Sequence, residues 1–68
     1  MADWLRRLEE MIREAQAEGS IIPEEDPGQL AFDLEAALFL ANAQHSVTRS
    51  AEPIKRARHA IDRRLAGA

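Results

Sequence analysis

Few side chains in this 68-residue sequence could carry out covalent or proton-transfer chemistry. Ser20, Ser46, Thr48 and Ser50 are the hydroxyl nucleophiles, and His45 and His59 are the imidazoles that would have to activate them. None of the six lies in a recognisable motif. A metal site would need three or four converging ligands, yet the two histidines fall on different helices with no HExxH or carboxylate spacing around them. His45 reads as a helix-end residue and His59 as a solvated one. Glu9-Glu10 and the run Glu24-Glu25-Asp26 raise the question of paired carboxylates. Adjacent helical residues diverge by about 100°, so such neighbours point apart. The acidic run reads as a solvated loop leading into a helix cap. Gly19, Gly28 and Gly67 lie singly at helix ends, which is not a phosphate-cradling loop. The expectation is no catalytic residue, no metal, no cofactor and no enzyme.

Composition narrows the classes further. Hydrophobic residues at 46% with 31% charged residues suit a folded helical domain better than a disordered chain. A chain this short hides only about 60% of its unfolded surface in one core, so oligomerisation or staples are the usual remedies. There is no cysteine, which removes disulfides and thiolate metal sites. The N-terminal Met1-Ala2-Asp3-Trp4-Leu5-Arg6-Arg7 has no signal-peptide pattern. The purest apolar stretch, Ala36 to Ala41, is far below the roughly 20 residues needed to cross a bilayer. A soluble cytoplasmic protein with no membrane partner is expected.

The net charge is −3, unevenly spread. Acids dominate residues 1–26, whereas Lys55, Arg56, Arg58, Arg63 and Arg64 dominate residues 51–68. These bases raise the idea of a DNA-reading helix. An acidic chain lacks the electrostatic drive of such binding, and the last helix has no cluster of base-reading residues in its first turns. The basic run is read as a solvated face.

These residues need helices to position them, and the helix signals are clear. The spacing predicts an all-α chain with helices over about 4–18, 27–47 and 51–66. Asp3 is the expected N-cap of the first helix and Gly19 its C-cap. Trp4, Leu5, Leu8, Met11, Ile12 and Ala15 make its apolar stripe. Ser20 to Asp26 is a connector anchored by Ile21 or Ile22. Asp26 caps the second helix with Pro27 in its first position, where a missing N–H costs nothing. That helix is apolar nearly all round: Leu30, Leu34, Ala37, Leu38, Ala41 and His45 on one side, Phe32, Ala36, Phe39 and Ala43 on the other. Two apolar faces imply two packing partners. Ser50 is the expected N-cap of the third helix, which stops at Gly67. Ile54, Ala57, Ile61 and Leu65 give it a narrow seam suited to an antiparallel helix pair.

The run Ala15-Gln16-Ala17-Glu18-Gly19-Ser20-Ile21-Ile22-Pro23-Glu24-Glu25-Asp26-Pro27-Gly28-Gln29-Leu30-Ala31 resembles the C-terminal regulatory domain of TetR-family transcriptional regulators. There a helix ending in Ala-x-x-Glu-Gly is followed by a short loop ending in Asp-Pro and then by a long apolar helix. The pattern Ile54-x-x-Ala57-x-x-x-Ile61-x-x-x-Leu65 is similar to the family's last helix. The resemblance implies that the last two helices join those of a second subunit in an intermolecular four-helix bundle. It also implies that the preceding helix walls a small-molecule effector pocket, placing Trp4, Leu8 and Met11 near that wall; plain core packing is the blander account of the same stripe. The family's DNA-binding helix-turn-helix domain is not among residues 1–68, which read as one regulatory and dimerisation domain, so DNA contact would come only through a domain absent here.

The reading is therefore a homodimerising, effector-binding part of a TetR-like repressor. Interface residues are expected to be Phe32, Ala36, Phe39 and Ala43, with Ile54, Ile61 and Leu65 from the third helix. The small residues at 36 and 43 favour this face of the second helix over the Leu30, Leu34 and Leu38 face. The alternative is a free-standing helical module that presents the second helix to a different protein.

Overall fold

The computed structural model describes residues 2–68, which are all-α: α1 spans Ala2–Glu18, α2 Pro27–Thr48 and α3 Glu52–Ala66. The helix signals act largely where expected. At the end of α1, Gly19 adopts φ +86, a left-handed conformation that side chains resist. Its N–H bonds the Gln16 carbonyl at 3.1 Å and the Ser20 N–H bonds the Ala15 carbonyl at 2.9 Å. This double closure satisfies carbonyls that would otherwise end the helix unpaired. Asp26 caps α2, its Oδ1 accepting from the Gly28 and Gln29 N–H groups at 3.0 and 3.2 Å, with Pro27 in the first turn.

Three helix ends differ from expectation. α1 begins at Ala2, so Asp3 lies inside the first turn instead of capping it. Its charge still faces the positive end of the helix dipole. The capping position of α3 falls on Ala51, although the Ser50 hydroxyl accepts from the Glu52 N–H at 3.1 Å and so does the chemical work of a cap from one residue earlier. α2 runs through Thr48 and closes on Arg49, which takes φ 59 while its N–H bonds the His45 carbonyl. A non-glycine residue in that region is uncommon, and no glycine was present to announce it.

α2 is the central element and packs against both other helices, which do not pack against each other. The result is a thin sheet of helices with principal extents of 40 × 25 × 14 Å. The principal core is Ile12, Leu30 and Ala31, with Leu8, Ile21, Leu34 and Ala68 packed around it. Ile21 is thus the loop anchor, while Ile22 is exposed. The α2–α3 seam is built from smaller groups: Ala41, Pro53 and Ala57 are its buried members. Small side chains let two helices approach closely but bury little apolar area. The Leu30, Leu34 and Ala41 side of α2 is therefore its inward side. Phe32, Ala36, Phe39 and Ala43 are exposed.

Candidate functional site

The exposed back of α2 is the most conspicuous surface. Phe32 is 62% exposed, Phe39 59%, Leu40 58% and Val47 84%. At about 100° per residue these four, with Ala36 and Ala43, occupy one continuous arc opposite the buried Ala41. Leu5 of α1 closes one edge of it. Together Leu5, Phe32, Glu35, Ala36 and Phe39 line a groove of about 360 Å³. Glu35 at its rim is held by the Trp4 indole, whose Nε1–H donates to the carboxylate at 2.6 Å.

Two further grooves flank the line where Ala41 meets Ala57. One, of about 330 Å³, runs past Ala37, Leu40, Gln44, Arg56 and Ala60. The other, of about 230 Å³, runs past Leu38, Asn42, Ile54, Arg58 and Ile61. Leu40 joins the first groove to the back of α2. The expected interface residues thus separate into two groups. Phe32, Ala36, Phe39 and Ala43 share the back of α2. Ile54 and Ile61 open on the other flank of the seam, and Leu65 is exposed near the end of α3. The structure does not bring the two groups onto one surface.

The proposed pocket-wall residues are likewise dispersed. Leu8 is half-buried against the core, Met11 is exposed, and Trp4 is exposed apart from its bond to Glu35. The α1 residue that faces the groove with Phe32 and Phe39 is Leu5, which the stripe on α1 contained without distinguishing it. Leu40 and Val47 were equally readable from the helical period of α2.

What sequence reasoning missed entirely is an ion cluster. Arg64, in the last turn of α3, donates from Nη1 and Nη2 to the two carboxylate oxygens of Glu25 at 2.6 and 2.7 Å, and from Nε to Asp33 at 2.8 Å. The Glu25 side chain is only 10% exposed. These hydrogen bonds from Arg64 hold the Glu25 carboxyl below its ordinary range against the opposing effect of burial. Bonds from Arg64, then Gln29, do the same for Asp33, and Glu25 and Asp33 raise the Arg64 guanidinium in turn. A bidentate guanidinium–carboxylate pair has strict geometry, so the cluster fixes register as well as charge. Arg64 is consequently a structural base and not part of a solvated basic face. His45 is also occupied, its Nδ1 lying 2.8 Å from the Ser50 carbonyl oxygen at the α2–α3 corner. His59 is exposed.

The arrangement thus offers exposed apolar surfaces and a helix-fastening ion cluster. The profile of the family described as Tetracyclin repressor-like, C-terminal domain, matches residues 1–61. The chain belongs to this TetR-like family. C-terminal domains of TetR-type proteins are parts of transcription regulators, and in general are regulatory and dimeric. The match spans α1, α2 and most of α3, the three elements whose order carried the resemblance in the sequence. No curated protein and no solved structure matches the chain. Among the described residues, no helix is long and apolar enough to cross a membrane.

Proposed function

We propose that this TetR-like domain is the dimerisation and effector-responsive part of a ligand-controlled repressor, pairing with a second copy through the back of α2. The observation that carries this reading is the continuous exposed arc of Phe32, Ala36, Phe39, Leu40, Ala43 and Val47 on a helix otherwise used for packing. An exposed apolar patch of this kind marks an association site. Leu40 leads into the trough beside Ala37, Gln44 and Ala60, where small residues leave room for a neighbouring helix. Pairing on this face would bring the two α2 helices into contact, with α3 of each copy at the margin beside Ala60 and with Ile54 and Ile61 outside the contact. Effector binding in the complete regulator would shift the dimer between DNA-competent and DNA-incompetent states, in proportion to its differential affinity for the two.

Phe39→Glu tests the face directly. With Phe39 59% exposed, roughly 120 Å² of the residue remains to be buried, equivalent to about 3 kcal/mol at about 25 cal/mol per Å². A symmetric dimer contains the contact twice, so the variant weakens dimerisation by about 10⁴-fold or more, while Ile54→Glu leaves it unchanged. An undiminished Phe39→Glu dimer would remove the back of α2 from the interface.

A further inference from the structure

α3 is fastened at its two ends by different means. At the α2–α3 corner, Arg49 is left-handed and its N–H bonds the His45 carbonyl at 2.8 Å. His45 Nδ1 reaches the Ser50 carbonyl, which can only accept, so this nitrogen carries the proton. The Thr48 hydroxyl oxygen accepts from the Ser50 N–H at 3.2 Å, and the Ser50 hydroxyl oxygen from the Glu52 N–H. This corner is knitted locally, within the eight residues 45–52.

The far end of α3 is held by residues remote in sequence. Arg64 grips Glu25 of the α1–α2 loop and Asp33 of α2, and the Ala68 carbonyl accepts from the Ile22 N–H of the same loop at 3.1 Å. The loop is in turn tied to α1 by Gln16, whose Nε2 donates to the Ile22 carbonyl at 3.0 Å and to the Glu25 carbonyl at 2.8 Å. A path of polar contacts therefore runs from α1 through the loop to the last turn of α3, although α1 and α3 do not pack on each other. Between the two fastenings the α2–α3 seam is small-residue packing, with Ile54 and Leu65 exposed.

We propose that Arg64, Glu25 and Asp33 form a latch through which the position of α1 and its loop is transmitted to α3, with the Arg49–Ala51 corner as the pivot. The guanidinium fork satisfies both Glu25 oxygens in one register only, and its bonds fail once the loop moves by about 1 Å. With the latch open, little buried apolar area opposes a swing of α3, and the groove beside Leu38, Ile54 and Ile61 widens. The latch is independent of whether the chain pairs with a second copy.

Residue-resolved amide hydrogen exchange on the 68-residue chain tests it. Arg64→Gln accelerates exchange across residues 57–66 by about tenfold or more relative to the amides of Ile12 and Leu34. Glu25→Gln, which leaves the Asp33 bond in place, gives a smaller acceleration of the same segment. Gln16→Ala removes a side chain whose hydrogen bonds go to loop carbonyls, so it loosens α3 through the loop, chiefly by way of the latch and to a lesser degree by way of the Ile22–Ala68 bond. It accelerates α3 exchange in the otherwise native chain and adds much less in the Arg64→Gln background, where only the Ile22–Ala68 bond still couples the loop to the end of α3. Uniform acceleration of all three helices by Arg64→Gln would overturn the proposal, as would a Gln16→Ala effect on α3 that is absent or that is undiminished without Arg64.

Discussion

Leu30→Ala is the sharpest test of the core. Leu30 is fully buried, at 0% exposure, and is the hinge of packing between α1 and α2 through Ile12 and Ala31. Leucine-to-alanine changes in cores cost about 2–5 kcal/mol, the spread reflecting how far the site collapses. Here Leu8, Ile21 and Leu34 are only half-buried and can move inward, so the lower half of that range applies: about 2–3.5 kcal/mol. A domain of 68 residues has a total stability of about 3–10 kcal/mol, so this one change removes a large part of it. The assay is urea unfolding followed by far-ultraviolet circular dichroism at fixed protein concentration, with Met11→Ala as the comparison. Met11 is 59% exposed, and its truncation changes stability by no more than about 0.5 kcal/mol. Equal losses for the two variants would refute the assignment of Ile12, Leu30 and Ala31 as the core.

Asp26→Ala removes the acceptor of two N–H groups at the start of α2 and costs about 1 kcal/mol in the same unfolding assay, whereas Asp26→Asn costs a few tenths. Arg49→Gly relieves the left-handed side-chain penalty, partly offset by glycine's greater freedom when unfolded, and raises stability by about 0.5–1 kcal/mol; a loss would contradict the φ of 59. The pH dependence follows from the lowered Glu25 and Asp33 carboxyls, whose ordinary values are 4.5 and 3.8. Because the folded values lie below these, the contribution is complete above them and is lost as pH falls through the folded values. The stability gap between native and Arg64→Gln chains is therefore constant from neutrality down to the ordinary carboxylate range and closes below it. A gap that widens on acidification would show that the carboxylates do not stabilise the fold through Arg64.

The helices were legible because their signals are local. Asp26-Pro27 and Gly19 each specify a backbone conformation within a few residues, and both act as read. The two faces of α2 were also legible, since the 3.6-residue period separates Leu30, Leu34 and Ala41 from Phe32, Ala36 and Phe39. What was hidden depends on tertiary geometry. Arg64 lies 31 residues from Asp33 and 39 from Glu25, and nothing near Arg64 marks it apart from its basic neighbours. Trp4 and Glu35 are likewise 31 residues apart. Arg49 closes α2 in a conformation usually signalled by glycine, and the division of the interface residues followed from treating α3 as a seam without knowing which flank of α2 it would occupy. Family membership could be read from the sequence because the order of the cap, the loop and the apolar helix is itself the family's pattern.

Sedimentation equilibrium of the chain over a concentration series, with circular dichroism on the same samples, tests the central claim most directly. Pairing through the back of α2 predicts a species of twice the 7.6 kDa chain mass that dissociates on dilution and loses helicity as it does so. A stable helical monomer at all concentrations would contradict it and leave the exposed face of α2 to a different protein.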